Sequence, residues 1–532
     1  MPNTTVIDRT QTPAQLSLPS AYNASVDFID RHLEEGRGDK VAIRDDRGEH
    51  TYAEVAEQVN RASNALRTLG VAPGDRIVMI MADTAAFVSV FFGAIRMGAV
   101  PVPLNTLLTT KDYDFMVRDS GAVAVVVSQV FWQTASPALR DQPALRTTVV
   151  DGECAGGIPA LVNLLSAAAN DPAPVLSDPN TPGFWLYTSG STGRPKAAVH
   201  AQKDLIYTAE LYGVGVLGIG EDDVVFSAAK LFFAYGLGNA LSFPLHVGAT
   251  AVLMAERPTP ESVLKRIADH DPDIFYGVPT LYAGLLASGL LPKNGFGNMR
   301  RCTSAGEALP VSVAEHWQRD VGVPILDGIG STEMLHIFLS NHPDDVKYGT
   351  TGKPVPGYEL KLTDEKGGAA AVGEVGELWV KGPSCPIEYW NRPEKTLETF
   401  VDGWARTGDK YACDQEGYYV YQGRSDDMLK VGGIYVSPFE VEGALMSHPD
   451  VLEAAVVGHA DENDLIKPKA FVIVNEGVER SAQLDAVLKV FVKEKLAPYK
   501  YPRWIEFVED FPRTATGKTQ RFKLRAREDA PK

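Results

Sequence analysis

The sequence predicts an α/β protein made of a large N-terminal domain and a smaller α+β C-terminal domain. Its 532 residues exceed what one hydrophobic core usually organises, so several domains or subdomains are expected. Continuous β-branched runs alternate with helical periods, which is typical of parallel sheets covered on both faces. The last hundred residues change to a mixed pattern. We place the N-terminal domain at 1–424, the C-terminal domain at 425–532 and the hinge near 424–427.

The α/β alternation is clearest between residues 50 and 150. Apolar residues from Val55 to Leu69 recur at helical spacing and stop at Gly70, a natural end for a helix. The elements predicted next are a strand at 77–81, a helix at 85–97, and strands at 100–104, 122–127 and 148–150. The same alternation returns from about 200 to 335, which predicts stacked α/β subdomains.

Short alternating strands with glycine turns replace this pattern further along the chain, at 358–362, 376–380 and 417–421. They predict a small β-rich subdomain at about 350–424. The C-terminal domain is then predicted to contain a helix at 438–446, strands at 451–457 and 470–474, a helix at 484–496 and a strand at 505–508.

Composition and charge narrow the classes of partner. A net charge of −17 argues against nucleic acid or an anionic membrane, because both require basic surface. The four cysteines are far apart and form no CxxC pair, which indicates neither a disulfide framework nor a thiolate metal site. The N-terminus lacks a signal-peptide pattern, and the longest apolar run, 85–95, is too short to span a bilayer. We expect a soluble cytoplasmic protein with small-molecule substrates, and leave a homodimer as an option.

The most informative segment is YTSGSTGRPK, which runs from Tyr187 to Lys196. Hydroxyls, backbone N–H groups on a glycine-rich turn and a lysine are the groups that wrap the oxygens of a polyphosphate. The GxxxxGK[ST] loop is absent, since Gly517-Lys518-Thr519 has Pro512 where the upstream glycine is required. A plain solvated turn is the alternative. The predicted phosphate-binding residues are Thr188, Ser189, Gly190, Ser191, Thr192, Gly193 and Lys196.

This string resembles the phosphate loop of the acyl-adenylate-forming superfamily, which contains acyl- and aryl-CoA ligases, peptide-synthetase adenylation domains and luciferases. Five further segments resemble superfamily motifs in the same order. They imply an adenine loop at 304–309, a second phosphate loop at 327–334, a ribose site at 407–409, a hinge at 423–426 and a lysine loop at 512–518. The residues implied for ATP or AMP are Ala305, Gly306, Glu307, Asp327, Gly328, Ile329, Ser331, Thr332, Asp409, Tyr421, Arg424 and Lys518. Taken alone, 407–409 would be an ordinary turn.

The resemblance also implies the chemistry. A carboxylate that attacks the α-phosphate of ATP brings two anions together, so the site must supply positive charge. Glu333 is implied as the ligand of Mg²⁺, Lys518 as the catalytic lysine and Thr188 as a catalytic group on the phosphates.

A second half-reaction is implied, in which the adenylate is converted to a thioester. The C-terminal domain is expected to be mobile and to rotate about Asp426. This rotation would withdraw the lysine loop and bring up the residues implied for coenzyme A, which are Lys430, Gly432 and Gly433. Fourteen residues follow Lys518 and carry no carrier domain, so free coenzyme A is the expected acceptor.

The acid is expected in a short, flat and mostly apolar slot. The implied lining residues are Ala234, Tyr235, Gly236, Ala305, Gly328, Gly330, His336 and Ile337. No carboxylate stands near Ala234 to pair an α-ammonium group, which disfavours amino acids. The strings KLFFAYGLGN and GSTEMLHIF resemble those of benzoate-CoA ligases, and this implies benzoate or a closely related aromatic acid. A structural role for His336 is the alternative.

Other functions stay open on the sequence. One is a stand-alone aryl-acid adenylation enzyme that loads a carrier protein in trans; another is a non-catalytic acyl-adenylate or acid-binding protein; an oxygenase like the luciferases is a third. Dinucleotide binding is disfavoured, although GVGVLG at 213–218 matches GxGxxG. That segment follows an apparent helix, and no acidic residue lies between Asp223 and Glu256.

Overall fold

The first sheet of the computed structural model has four parallel strands. Their order is Val100–Pro103, Arg76–Ile80, Ala124–Ser128 and Thr147–Asp151. The structure describes residues 3–153, 157–171, 173–188, 195–292, 295–425, 427–431, 434–462, 465–496, 500–513 and 519–528. Every strand of this sheet was predicted from the sequence to within two residues.

The second sheet has nine strands and a parallel centre. Its order is Lys353–Pro354, Ile337–Ser340, Ile325–Gly330, Arg301–Ser304, Ile274–Gly277, Val224–Ser227, Thr250–Val252, Val41–Asp45 and Gly48–Thr51. The last two strands precede the first sheet in the chain, and Val41–Asp45 pairs with Thr250–Val252. The sequence prediction of a separate unit at 200–335 missed them, because pairing between distant segments leaves no local signal.

Three further sheets follow, two of them antiparallel and the C-terminal one mixed, since Ile466–Val474 and Trp504–Phe507 pair in parallel. One contains Glu388–Tyr389, Lys196–Ala201 and Pro182–Thr188, in that order. The five-stranded sheet contains Glu359–Thr363, Val375–Lys381, Trp404–Cys413, Phe400–Val401 and Tyr419–Arg424. The C-terminal sheet contains Val451–Ala460, Ile466–Val474 and Trp504–Phe507. The three-stranded sheet was not foreseen. Three strands of the five-stranded sheet and all three strands of the C-terminal sheet were predicted, whereas Phe400–Val401 and Trp404–Cys413 were not. Two hairpins are smaller, Val6–Asp8 with Gln15–Ser17 and Leu429–Val431 with Ile434–Val436.

Helices cover the sheets. The α-helices of the N-terminal part are Arg31–Glu34, Tyr52–Thr68, Ala85–Arg96, Thr110–Ser120, Trp132–Ala135, Leu161–Ala167, Asp204–Thr208, Ala234–Leu237, Phe243–Val247, Pro260–His270, Pro279–Ala287, Val311–Val321 and Pro393–Thr399. Those of the C-terminal part are Pro438–Met446, Ala482–Lys495 and Arg521–Glu528. Wider π-helical turns occur at Val26–Asp30, Ala209–Val214 and Gly238–Ser242, and 3₁₀ turns at Gln129–Phe131 and Ser136–Leu139. None of the described helices combines the length and the apolarity needed to cross a membrane.

Local sequence explains the packing of the two longest N-terminal helices. Tyr52–Thr68 begins at a capping box in which Thr51 and Glu54 exchange hydrogen bonds. Ala85–Arg96 packs against it with almost every side chain buried. At Gly93 an added Cβ would lie 2.7 Å from the Ala62 Cβ, so this glycine permits the close approach of the helices. The apparent helix before GVGVLG is confirmed, which removes the strand that dinucleotide binding requires.

An N-terminal hairpin is tied to the core by a buried carboxylate. Arg9 donates from Nε and Nη2 to the two oxygens of Glu210, at 2.7 and 2.8 Å. His246 Nε2 lies 2.7 Å from Glu210 Oε2. Glu210 is almost fully buried, whereas the Arg9 side chain is half exposed. Burial alone would raise the pKa of Glu210, but the hydrogen bonds from Arg9 and His246 outweigh it and lower the pKa to about 2.

Replacing Arg9 by methionine should destabilise the protein by about 3 kcal/mol, because it leaves the Glu210 carboxylate buried without its guanidinium. Glu210→Gln should cost less, since the half-exposed Arg9 can turn to water, and the double variant should recover part of the Arg9→Met loss. Urea unfolding at pH 7 measures all three. Because the pKa of Glu210 is depressed in the folded state, its contribution is present above pH 4.5 and is lost as the pH falls toward 2. Additive losses in the double variant would contradict the coupling.

Candidate active site

The predicted phosphate loop closes a β-hairpin. Thr188 ends the strand Pro182–Thr188, Lys196 begins the strand Lys196–Ala201, and the two residues are direct cross-strand partners. The predicted residues Ser189, Gly190, Ser191, Thr192 and Gly193 lie outside the described part of the chain. The hairpin therefore presents a hydroxyl and an ammonium group at the two ends of the loop.

Glu333 lies against Lys196 and against a residue that sequence reasoning missed. The Tyr389 hydroxyl donates to Glu333 Oε1 at 2.6 Å. Lys196 Nζ lies 3.7 Å from the same oxygen and 3.6 Å from the centre of the Tyr389 ring. Burial lowers the pKa of Lys196, and the Glu333 carboxylate opposes that shift. The three side chains form one cluster beside the phosphate loop.

Hydrogen bonds to its backbone groups hold the loop that carries Glu333 in place. His200 Nε2 lies 2.8 Å from the Thr332 carbonyl, and its Nδ1 lies 2.9 Å from Asp204 Oδ2. The Met334 N–H donates to Ser331 Oγ at 3.1 Å. Leu335 is buried and has φ +62°, an uncommon conformation for a leucine. Such a backbone persists where the surroundings over-determine it, as they do at binding sites.

The predicted adenine-side residues follow neighbouring parallel strands. Ser304 is the register partner of Asp327, so the loop after 301–304 lies beside the segment 327–330. Ala305 is buried, Gly306 is exposed with φ +93°, and Glu307 accepts a hydrogen bond from Thr280 Oγ1 at 2.7 Å. In open α/β sheets, ligands bind at the carboxyl ends of such strands.

Asp327 is a partly buried residue at this edge, and its carboxyl atom Oδ1 is buried. Burial raises its pKa well above the ordinary value. Its Oδ1 has no hydrogen-bond partner among the described residues. Gly328 and Ile329 continue the same strand, Ile325–Gly330, toward Ser331. A buried carboxyl oxygen without a protein partner is a group that a ligand can satisfy.

The predicted ribose residues pair across two antiparallel strands. Asp409 is the register partner of Arg424, and Arg424 Nη1 lies 3.2 Å from Asp409 Oδ1. The Tyr421 ring stands 5.3 Å from that of Tyr411. The plain interpretation of 407–409 as a turn is wrong, because these residues lie inside the strand Trp404–Cys413. Gly408 has φ +75°, a conformation that glycine adopts readily.

The predicted acid pocket has a wall of aromatic rings. Tyr235, in the helix Ala234–Leu237 with Gly236, lies 2.6 Å through its hydroxyl from Thr303 Oγ1 and donates to the Gly277 carbonyl at 3.2 Å. The His336 ring stands 5.5 Å from Tyr235, 5.2 Å from Tyr212 and 4.5 Å from Phe243. Tyr212 and Phe243 were missed by the sequence analysis, because they come from helices with no motif.

His336 is neutral and hydrogen-bonded. Burial lowers its pKa to about 3. Its Nε2 faces two acceptors, Asn239 Oδ1 at 3.0 Å and the Tyr235 carbonyl at 3.2 Å, so Nε2 carries the proton. The alternative prediction, a structural role for His336, therefore applies to the Nε2 edge of the ring. The other edge, Nδ1, has no partner among the described residues.

Close packing brings the pocket segments together. Ile337 is buried at the start of the strand Ile337–Ser340, and Gly328 and Gly330 lie against it and the turn before it. At Gly330 an added Cβ would lie 2.5 Å from the His336 carbonyl oxygen, so only glycine fits beside this turn. Four further predicted residues, Lys518, Asp426, Gly432 and Gly433, lie outside the described residues, as does the side chain of Lys430.

Gly238→Ala should weaken binding of the aromatic acid and spare ATP binding. The new methyl would lie 2.7 Å from His336 Nε2 and 2.9 Å from Phe243 Cζ, which overpacks the wall. We expect the KM for the acid to rise roughly tenfold, and the Kd of ATP, measured by calorimetry, to stay unchanged. Gly443→Ala is the control, because its methyl would meet nothing within 4 Å. An unchanged KM would remove His336 from the acid site.

Comparison with known proteins assigns the chain to a family. A model of the AMP-binding enzymes matches residues 29–390, and a model of the AMP-binding enzyme C-terminal domain matches 440–518. The chain is 57% identical over 523 residues to the benzoate–CoA ligase of Thauera aromatica, covering 98% of this chain and 99% of that protein. It is 46% identical over 511 residues to the 4-hydroxybenzoate–CoA/benzoate–CoA ligase of Rhodopseudomonas palustris, covering 95% and 94%.

Two solved structures share the fold. A benzoate CoA ligase from Burkholderia xenovorans LB400 has a TM-score of 0.89 and 51% identity, with 94% of this chain and 99% of that chain covered. The anthranilate CoA ligase AuaEII, in complex with anthranoyl-AMP, has a TM-score of 0.93 and 43% identity, with 96% and 98% covered. The fold predicted from the sequence and the resemblance to adenylate-forming enzymes are confirmed. The chain belongs to the family of AMP-binding enzymes.

Proposed function

We propose that this enzyme ligates benzoate to coenzyme A and converts ATP to AMP and pyrophosphate. The observation that carries the proposal is the 57% identity to a benzoate–CoA ligase over nearly the whole chain. The predicted pocket supports it, because a neutral His336 and the rings of Tyr235, Tyr212 and Phe243 form an aromatic wall without a charge. Such a wall suits a benzene ring better than an ammonium group.

The first half-reaction makes an acyl-adenylate. A carboxylate oxygen of benzoate attacks the α-phosphorus of ATP, and the bond from that phosphorus to the bridging oxygen breaks, so pyrophosphate leaves. Thr188 and Lys196, with the loop 189–193, would hold the departing phosphates. Lys518 would neutralise the carboxylate and the bridging oxygen. Arg424 and Asp409 would bind the ribose side, and the loop 305–307 would lie along the adenine.

The second half-reaction makes the thioester. The thiol of coenzyme A loses its proton, the thiolate attacks the acyl carbon, and AMP leaves with the electrons of the acyl–oxygen bond. Rotation about Asp426 would replace the lysine loop by Lys430, Gly432 and Gly433 at the site. The domain boundary at 424–425 and a cytoplasmic location are further parts of the proposal that rest on the sequence, and a homodimer stays an open option.

The residues around Glu333 fit a magnesium ion. Mg²⁺ is usually held by one or two carboxylates together with substrate phosphates and water. Glu333 is a partly exposed carboxylate beside Thr188 and Lys196 on the phosphate loop. Among the described residues no group of three metal-binding side chains occurs, which agrees with an ion shared with a substrate. When bound, Mg²⁺ would supply positive charge to the phosphate oxygens.

The proposal is tested by AMP formation that depends on coenzyme A. The acids to compare are benzoate, 2- and 4-hydroxybenzoate, phenylacetate, cinnamate, butyrate and octanoate. We expect a clear preference for benzoate. Preference for an aliphatic acid would contradict the predicted aromatic pocket but would still support the ligase reaction. AMP formation with a phosphopantetheinyl protein and not with coenzyme A would favour the carrier-loading alternative, and no AMP with any acid would favour the binding-protein alternative.

Lys518→Ala should remove the first half-reaction and spare the second. The expected loss of adenylate formation is roughly a hundredfold or more, as for other groups that stabilise charge in a transition state. Thioester formation from supplied benzoyl-adenylate should stay close to the wild-type rate, because the lysine is withdrawn in that step. Equal losses in the two assays would contradict the two-conformation mechanism.

A further inference from the structure

The third strand of the small sheet brings one buried tyrosine to the phosphate loop. Tyr389 is the register partner of Ala198 in the strand Lys196–Ala201. Side chains two residues apart on a strand share a face, so Lys196 and Ala198 lie on the same side. A residue opposite Ala198 is therefore a diagonal neighbour of Lys196. This explains why a tyrosine almost two hundred residues away reaches the ammonium group.

Tyr389 is held rigidly where it makes these contacts. It is 1% exposed. Its backbone N–H donates to Thr396 Oγ1 at 3.0 Å, and its ring stands 5.1 Å from that of Phe400. The short helix Pro393–Thr399 contains Thr396 and thus holds the strand Glu388–Tyr389 in place. A rigid donor can fix the orientation of a carboxylate, whereas a mobile one loses the benefit to entropy.

The two contacts of Glu333 fall on one oxygen. Tyr389 donates to Oε1 at 2.6 Å, the length of a strong hydrogen bond to a carboxylate. Lys196 Nζ is 3.7 Å from the same Oε1, too far for a hydrogen bond. Among the described side chains, none is recorded at Oε2, so this is the oxygen that remains for a cation.

Lys196 is kept near the carboxylate without being bound to it tightly. Its Nζ stands 3.6 Å from the centre of the Tyr389 ring, within the range of a cation–π contact. Tyr389 already occupies the hydrogen-bonding direction at Oε1. The lysine is therefore free to turn toward phosphate oxygens when they arrive.

We propose that Tyr389 is a positioning residue for the metal–ATP complex: its hydroxyl fixes Glu333 so that Oε2 faces the cation, and its ring keeps Lys196 ready for the phosphates. This inference rests on the proposed use of ATP. It adds to that function a residue outside the sequence motifs.

Tyr389→Phe tests the inference, because it removes one oxygen and keeps the ring over Lys196. ATP is titrated into the protein by calorimetry, once with Mg²⁺ and once with EDTA. The Kd of ATP with Mg²⁺ should rise about tenfold, which corresponds to about 1.4 kcal/mol. The Kd in EDTA should stay unchanged. An equal rise in both titrations, or no rise in either, would overturn the role.

Tyr52→Phe is the matched control. Tyr52 is also 1% exposed, and its hydroxyl makes a comparable bond to the Ala249 carbonyl at 2.7 Å. Both variants should lower the melting temperature to a similar degree, and Tyr52→Phe should leave both ATP titrations unchanged. Failure of Tyr389→Phe alone to fold would show that the hydroxyl is structural, which also overturns the inference.

Glu333→Gln completes the test. In the Glu333→Gln protein, adding Tyr389→Phe should not weaken ATP binding further in the presence of Mg²⁺, because the carboxylate that Tyr389 orients is gone. A further loss would overturn the inference. If wild-type ATP affinity does not depend on Mg²⁺, the inference fails, while AMP formation from benzoate still tests the ligase function separately.

Discussion

The strand Lys196–Ala201 is the constraint on which the catalytic end of the molecule depends. Its backbone pairs with Thr188 on one side and with Tyr389 on the other. Its first residue supplies the ammonium group beside Glu333, and His200 binds the carbonyl of Thr332. The register of a strand is set by all its hydrogen bonds together. Contacts with this strand therefore fix the relative positions of the phosphate hairpin, the loop that carries Glu333 and the strand Glu388–Tyr389.

The two sides of the site differ in polarity for a chemical reason. The phosphate side carries Lys196 and Arg424, which suit the oxygens of a polyphosphate. The acid side carries a neutral His336 that is buried among rings. These polarities agree with the proposed function, in which a polyphosphate binds on one side and an aromatic acid on the other. The separation lets one anion approach another without placing a charge against the ring.

Much of the fold follows from local sequence. Helix Tyr52–Thr68 has its capping box and its apolar stripe within one segment, and strand Arg76–Ile80 is a continuous apolar run. The motif residues Thr188, Glu333 and Asp409 were found because their loops resemble known ones. Tyr389 was missed, because a tyrosine outside a motif has no sequence signal, whereas Asn239 ends the segment KLFFAYGLGN that was assigned to the acid site. Their contacts to Glu333 and His336 exist only after distant strands and helices pack.

The sequence by itself determined the class of the protein and many of its helices and strands, and its motifs predicted the chemistry of the loops, since periodicity and motif spacing are local properties. The tertiary structure decided how those loops meet. It alone paired Val41–Asp45 with a strand two hundred residues later, placed 407–409 inside a strand and brought Tyr389 to Glu333. Such pairings are selected by burial and by the hydrogen bonds of whole sheets, and these forces are set by the assembled fold and not by any short segment.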